Sequence, residues 1–450
     1  MTQLHLNAFL MSAGHHEAAW RLPESDPVGS TDLDHFVALA KLAEHGTFDS
    51  LFLADSPVLH NAVRRPSSVL EPTVLLTALA TATSRIGLIA TASTSYNEPY
   101  NLARRFASLD HVSRGRAGWN IVTTAGPEAA RNFNLDEQAS HAERYRRAAE
   151  FVEVATQLWD SWSDDAVVGD RPRGVWAEPD RVRPIEHQGE FFTVRGALNV
   201  ARGPQGRPLL VQAGSSEDGK DFAARYAEAV FTAQQTTEDA RAFYADLKRR
   251  VRAAGRDPHQ VKVLPGIVPV VGSTEAEAQA RSRLFDEHVQ PEFARAQLAR
   301  TLRVPLEELP LDRRLPADLP DEDEIEGAKS RYTLIVNLAR SERLTVRELI
   351  LRLGGGRGHR TFTGTPEQVA DTIEDWFTSG AADGFNIMPP ALPGDLQTFV
   401  DHVVPILRDR GLFRREYTGR TLREHYGLSR PDHVFGAAGR TAPPLDAVAV

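Results

Sequence analysis

The chain has 450 residues, 41% of them hydrophobic, and 52 Lys and Arg against 61 Asp and Glu, for a formal net charge of −9. It contains no cysteine, which excludes disulfides, thiolate nucleophiles, iron–sulfur clusters and thiolate zinc sites. No basic run is interleaved with aromatic residues, so no nucleic-acid partner is expected, and no window approaches the roughly 20 apolar residues of a membrane span. The start, MTQLHLNAFLMSAGHH, lacks the basic and long apolar stretches of a secretion signal, and a cytoplasmic protein is expected.

In chain order, short apolar runs alternate with longer periodic segments. LHLNAFL (Leu4–Leu10) reads as a strand, and LDHFVALAKLAEHG (Leu33–Gly46) as a helix closed by glycine. SLFLAD (Ser50–Asp55) is a strand, and EPTVLLTALATAT (Glu71–Thr83) a helix with proline near its start. RIGLIATAS (Arg85–Ser93) and AGWNIVTT (Ala117–Thr124) follow as strands, with the helix NLARRFASLDHVS between them and the long helix HAERYRRAAEFVEVATQLWDSW after. Strands PLLVQAG (Pro208–Gly214), EAVFTA (Glu228–Ala233), VKVLPGIVPVVG (Val261–Gly272) and GFNIMPP (Gly384–Pro390) continue the alternation, each leading into a helix.

Eight continuous apolar strands joined by helices predict a parallel sheet buried on both faces. Eight such units predict an α/β fold of the (β/α)8 TIM-barrel type, with its site at the C-terminal strand ends. An open, doubly wound sheet satisfies the same count. One barrel domain is expected over 1–430, with insertions at about 125–140, 163–208 and 289–360. The chain after Arg414 is expected to run over the surface or a neighbouring subunit, ending in a tail over 431–450.

Polar residues at strand ends are the site candidates. Asp55 closes an apolar strand, where a carboxylate has to find donors. QAGSSEDG (Gln212–Gly219) sets Ser215 and Ser216 between a strand and the first turn of a helix, whose free N–H groups can hold an anion. Ser216 serves equally as an ordinary N-cap. His141 and Tyr145 are four apart on one helix face; they either reach an anion or form a surface histidine above a core tyrosine. Asn120 is an amide within an apolar strand, which calls for a polar group at that strand's end. His15 and His16 are adjacent and not spaced as His-x-His, and no strand-end His–Asp set completes a ligand sphere, so no metal is expected. No G-x-S-x-G elbow is present, which argues against a serine hydrolase. LGGGRGH (Leu353–His359) does not follow a strand as a phosphate loop does and reads as a connection. The arginines of Arg171–Arg183 suit either an anionic substrate or plain exposure.

NEPYNLARRFASLDHVSRGRAGWNIVTT, ARNF, HAERYRRAAEFVEVATQLWDSW, LLVQAGSSEDGKDFAARYAEAVFT and TGTPEQVADTIEDWF together resemble the flavin-dependent monooxygenases of the bacterial luciferase-like superfamily. The match is to the branch containing nitrilotriacetate, EDTA, dibenzothiophene-sulfone and long-chain-alkane monooxygenases, and it runs from GHHEAAWR to about Arg430. The resemblance implies a (β/α)8 barrel that binds reduced FMN (FMNH2) supplied by a separate NAD(P)H-dependent flavin reductase. With O2 this gives a flavin C4a-(hydro)peroxide that passes one oxygen atom to a small organic substrate.

Residue by residue, it implies that Asp55 and Asn120 contact the flavin, with Thr91 or Thr94 beside them. His141 and Tyr145 are implied to lie near the FMN phosphate, with Ser216 and Ser215. His15 or His16 is the candidate proton donor or hydrogen bonder on the substrate side, near Phe9, Phe52 and Trp20. A homodimer or homotetramer is expected. The alternatives are a deazaflavin (F420)-dependent oxidoreductase of the same fold and a non-catalytic flavin-binding protein.

Overall fold

Nine parallel strands form one sheet: β1 (His5–Leu10), β2 (Ser50–Leu53), β3 (Gly87–Ser93), β4 (Ala117–Val122), β5 (Leu209–Ala213), β6 (Ala229–Thr232), β7 (Lys262–Val271), β8 (Arg360–Gly364) and β9 (Gly384–Ile387). This computed structural model describes residues 3–59, 62–124, 126–321, 325, 329–354 and 358–433. Residues 355–357 of the glycine-rich run, and 434–450 of the expected tail, lie outside the described residues.

β1 to β7 pair in sequence order, and β9 joins β7 back to β1, so eight strands close the barrel. The open-sheet alternative is thereby excluded. The ninth strand, β8, was not expected. It pairs with the far half of β7, Ile267 to Val271. Its sequence, RTFTG, is only half-buried along most of its length, so it lacks the continuous apolar run that marks the other strands.

The barrel helices include α1 (Leu33–His45), α2 (Pro72–Ala82), α3 (Pro99–Ser113), α4 (His141–Trp159), α5 (Glu217–Tyr226), α6 (Thr237–Ala253), α7 (Glu275–His288) and, numbered in chain order, α11 (Pro366–Thr378). Between them, α8 (Pro291–Leu302), α9 (Lys329–Ser341) and α10 (Val346–Gly354) share an apolar cluster of their own, which includes Leu302, Ile335 and Leu349. The 163–208 segment carries two hairpins, Val167–Asp170 with Val175–Ala177 and His187–Gln188 with Thr193–Val194. Two of its arginines are engaged locally: Arg173 pairs with Asp170 and Glu178, and Arg181 with Asp165.

Strand pleating sorts β4 into two faces. Trp119 points into the helix layer, among Phe106, Phe151 and Trp159, and its indole N–H donates to Ala92 O at 3.0 Å. Asn120, one residue on, turns to the barrel interior. That interior is filled by Phe9, Phe52, Ile89, Val211, Leu264 and Met388.

The barrel floor corrects the expectation of a surface tail after Arg414. Leu422, Tyr426 and Leu428 belong to the interior cluster and are 0%, 0% and 6% exposed. Tyr426 stacks on His5 at 5.0 Å and donates its hydroxyl to Asn7 Oδ1 at 2.7 Å. Asn7 in turn donates to Asn386 Oδ1 at 3.0 Å and accepts from Ser50 at 2.8 Å, so one polar layer links β1, β2 and β9. Arg414 pairs with the fully buried Asp49, which also accepts from His5 at 3.0 Å. Two of the arginines that made this segment look like surface, Arg414 and Arg423, are buried against carboxylates, and Arg423 holds Glu228 with both terminal guanidinium nitrogens; Arg415 and Arg430 stay outside, on Asp409 and Asp164.

Candidate active site

A cavity of about 280 Å³ opens at the C-terminal ends of β4 and β5, on the side that faces α4 and α5. Asp55 and Ser56 border it after β2, Thr123 and Thr124 after β4, and Gln212 and Gly214 at the end of β5. His141, Arg144 and Tyr145 of α4, Ser216 and Phe222 at α5, and Lys329 of α9 complete the wall. Of the residues picked from the sequence, Asp55, His141, Tyr145 and Ser216 therefore meet in one place.

The two helices start here for local reasons. Ser140 caps α4 by accepting from Glu143 N at 3.3 Å, and Ser216 caps α5 by accepting from Gly219 N at 3.2 Å. The cap does not withdraw Ser216 from the cavity, because the same hydroxyl is hydrogen-bonded to the Tyr145 phenol. Burial pushes that phenol's pKa up. His141 Nδ1 lies 3.0 Å from Asp218 Oδ2, yet burial holds the imidazole's pKa below its usual value, outweighing the carboxylate. Glycine keeps the space between these groups open. A Cβ on Gly219 would lie 3.1 Å from Ser216 Oγ and 3.2 Å from the Tyr145 hydroxyl, and one on Gly214 would lie 2.5 Å from Gln212 Nε2.

Asp55 borders the same cavity from the loop after β2. Burial, aided by the nearby Glu71, raises its pKa against the opposing pull of Ser56 N–H and Arg105. Thr124 takes a left-handed backbone, φ 44°, and donates to Ser93 Oγ at 2.7 Å. A non-glycine residue in that region is uncommon and tends to cluster at functional sites.

The remaining candidates divide. Thr91 and Asn120 pair directly across β3 and β4, with Asn120 Nδ2 donating to Thr91 Oγ1 at 2.8 Å. Both are nearly buried, at 2% and 3%, on the interior face. Thr94 is 0% exposed and spends its hydroxyl on Val122 O at 3.3 Å, so it ties β3 to β4. Ser215 turns away from Ser216 and bonds Thr232 Oγ1 at 3.0 Å, beside a second cavity. His15, 1% exposed, has Nε2 2.9 Å from Phe9 O and packs edge-on against that ring. His16 Nδ1 accepts from Ala18 N at 3.1 Å, and its ring lines another cavity, of about 310 Å³, with Phe285, Asp286 and Arg352. Neither histidine borders the first cavity.

Arg144, Gln212 and Lys329 were not singled out from the sequence. Arg144 is 3% exposed and lies inside the quoted HAERY motif, so the signal for it was present. Lys329 comes from an insertion, and only the fold brings it here.

Two buried amide oxygens, Asn120 Oδ1 and Gln212 Oε1, have no hydrogen-bond partner. A buried acceptor left unpaired costs about 1–3 kcal/mol; Gln212 borders the cavity, and Asn120 lies on the barrel interior next to it. The cavity wall also offers a helix N-terminus, two hydroxyls and the cations Arg144 and Lys329, a donor set suited to a phosphate. A phosphorylated ring compound with N–H groups, such as FMN, fits this combination. Among the described residues no group of three or more His, Cys, Asp or Glu is placed to hold a metal ion, and no helix is long and apolar enough to cross a membrane.

A closed (β/α)8 barrel with such a cavity at its C-terminal strand ends has the architecture of an enzyme. Residues 8–383 match the luciferase-like monooxygenase family, and the chain belongs to it. It is 46% identical over 443 residues to nitrilotriacetate monooxygenase component A of Aminobacter aminovorans, covering 95% of this chain and 97% of that protein. A solved EDTA monooxygenase from Chelativorans sp. BNC1 is 38% identical with a TM-score of 0.82, covering 95% of this chain and 99% of the other. A solved riboflavin lyase, bound to modified FMN and riboflavin, is 31% identical with a TM-score of 0.83 over 96% and 97% of the two chains.

Proposed function

We propose that this enzyme oxygenates a small organic substrate with reduced FMN delivered by a separate NAD(P)H-dependent flavin reductase. What chiefly supports this is a phosphate-type wall on a cavity that Gln212, a buried amide with an unpaired oxygen, also borders, with the unpaired Asn120 Oδ1 on the adjoining barrel interior. Ser216, Tyr145, His141, Arg144 and Lys329 take the phosphate; Thr91 and Asn120 orient the ring at the barrel mouth, with Asp55 at the far edge. When bound, reduced flavin supplies the two electrons that split O2 between substrate and water.

The chain's own task is to bind, orient and keep the site dry. Asn120 is held in one orientation by Thr91, so its Oδ1 presents a fixed acceptor. Phe9, Phe52 and Phe231 meet edge to face with centroids 4.8–5.6 Å apart, and they seal the barrel interior below the mouth against water. His16, which borders a cavity of its own, is the proton donor in preference to His15, whose Nε2 is engaged with Phe9 O. Assembly as a homodimer or homotetramer, with reductase engaged transiently or by diffusion, belongs to the same proposal.

The test is anaerobic titration with photoreduced FMN, followed by rapid mixing with oxygenated buffer. Tight binding, with reoxidation of the flavin slowed relative to free FMNH2, is expected. No binding of reduced FMN would sink the proposal and turn attention to a deazaflavin cofactor.

A further inference from the structure

At the foot of the barrel, Asp110 near the end of α3 is 0% exposed, and its hydrogen-bond partners are neutral. Its Oδ1 accepts from Gln205 Nε2 at 2.7 Å and from Ala117 N at 3.3 Å. Its Oδ2 has no hydrogen-bond partner. The backbone of Gly203 is seated against that oxygen, since a Cβ there would lie 2.3 Å from it. Burial pushes the carboxyl's pKa up to about 6, against the pull of Gln205, Ala117 and the nearby His111.

The cations of the surrounding elements are committed elsewhere. On α3 and just after it, His111 and Arg114 are exposed, and His111 Nε2 lies 2.9 Å from Ala201 O. Arg116, at the start of β4, donates to Thr83 Oγ1 and to the carbonyls of Ala80, Ile86 and Ser113. Arg202 pairs with Asp160 and Asp164, and Arg207 with Asp160. From the C-terminal segment, Arg423 holds Glu228, Arg430 holds Asp164, and Glu424 accepts from Thr421 N at 2.9 Å. Asp160 thus meets two arginines, and Asp110 meets none.

The wall that keeps water from Asp110 Oδ2 also straps the floor. Gly206 N donates to Gly203 O at 2.9 Å and closes a tight turn. Gln205 Oε1 in that turn accepts from Arg423 N at 3.3 Å, and Pro204 O accepts from Arg430 Nε at 3.2 Å. Arg202, just before it, donates to Pro431 O at 2.6 Å. A carboxylate without a cation gains most by reaching water, and here water reaches it when the turn lifts.

We infer that Asp110 is a pH-sensitive latch on the barrel floor. Uncharged, it keeps the Gly203–Gly206 turn seated; ionised, it favours a state in which the turn opens and the segment from Thr421 to Arg430 loosens with it. The direction follows from linkage. A carboxyl whose pKa is higher in the closed state than in the open one stabilises the closed state at low pH, and that contribution is lost as pH rises through the closed-state value. His425, also in the floor, has the opposite sign: burial holds its pKa below the usual value, so acidification weakens the floor there. Asp49, with its pKa brought down to about 2, acts only at more acidic pH.

The test is amide hydrogen exchange of the full chain, wild type and Asp110→Asn, at about pH 5 and about pH 7.5, corrected for the intrinsic rates. In the wild type, protection at Gly206, Leu422 and Arg423 is expected to fall about tenfold between the two, the factor that closed- and open-state values of about 6 and about 3.9 give. Asp110→Asn keeps the shape and removes the charge, so its protection at these amides should not change with pH. The latch is overturned if wild-type protection there is constant or rises with pH, or if the variant shows the same fall. A fall of equal size throughout the barrel also overturns it, because ionisation would then unfold the whole chain and not open the turn. If Asp110→Asn does not fold, the wild type decides by sign and location alone, since His425 would push the change the other way.

Discussion

Asn120 Nδ2 donates to Thr91 Oγ1 at 2.8 Å, and that bond decides what the rest of the amide can do. With one amide N–H fixed on β3 the orientation of the group is set, and in this structure Oδ1 has no partner. Replacing both halves of the amide by carbon removes an unpaired acceptor from the interior. Asn120→Leu is therefore expected to leave the protein as stable as before, or more stable by about 1 kcal/mol. The same change should weaken reduced FMN by about 1–2 kcal/mol. Urea melts and anaerobic fluorescence titration, run on the same variant, check the two opposite signs.

Ser216 and Tyr145 make a separate expectation, because they bond to each other beside the start of α5. If they hold a phosphate, Ser216→Ala and Tyr145→Phe should each weaken FMN by about 1–2 kcal/mol and leave riboflavin binding unchanged. Ser216→Ala should also cost about 1 kcal/mol of stability through the lost cap. Equal weakening of FMN and riboflavin would place the phosphate elsewhere.

The barrel was legible because each strand is a continuous apolar run and each run is followed by a periodic one. Trp119 and Asn120 were readable as neighbours on opposite faces, since strand pleating alone separates them. β8 was not readable, because Arg360 to Thr363 alternate no clear apolar face and follow a glycine-rich stretch. The floor was hidden for a different reason. Arg414 and Arg423 look like surface in a sequence, and only the fold supplies Asp49 and Glu228 to bury them. Candidate residues at strand ends, such as Asp55 and Ser216, could be chosen by position. Lys329, which borders the same cavity, could not, because an insertion carries no register that points to the mouth.

Asp49 predicts a pH dependence. Burial alone would raise its pKa, but Arg414 and His5 overcome this and bring it down to about 2. A carboxylate with a folded pKa below its unfolded value of roughly 3.9 stabilises the fold above that value and loses the effect as pH falls through the folded one. Asp49→Asn should therefore destabilise by about 3–5 kcal/mol at neutral pH, because Arg414 is left buried without its partner. The gap between variant and wild type should close as pH drops from about 4 toward 2. Urea midpoints across that range measure it, and a gap independent of pH would remove Asp49 as its source.

Leu422 fills the barrel floor tightly enough to require glycine above it. A Cβ on Gly87 would come within 2.3 Å of Leu422 Cδ1. Leu422→Ala should cost about 2–5 kcal/mol, as expected for a cavity in a close-packed core. Gly87→Ala should destabilise alone, and its cost should shrink in the Leu422→Ala background, where the methyl has room. Additive costs in the double variant would mean that the two positions do not share this space.

The floor also sets the order in which a newly made chain can finish folding. The seam pairs His5 with Gly384, and the interior is capped from below by Leu422, Tyr426 and Leu428. While the ribosome is still adding the residues between, β1 keeps an unpaired edge and the apolar interior stays open at its base. A chain cut short before Gly384 would keep that free edge, ready to pair with another copy, and one cut between β9 and Leu422 would close the seam but leave the interior open at its base. Faithful completion of the stretch that encodes Leu422 to Leu428 is thus a condition for the barrel to escape aggregation, although none of these residues borders the cavity between β4 and β5.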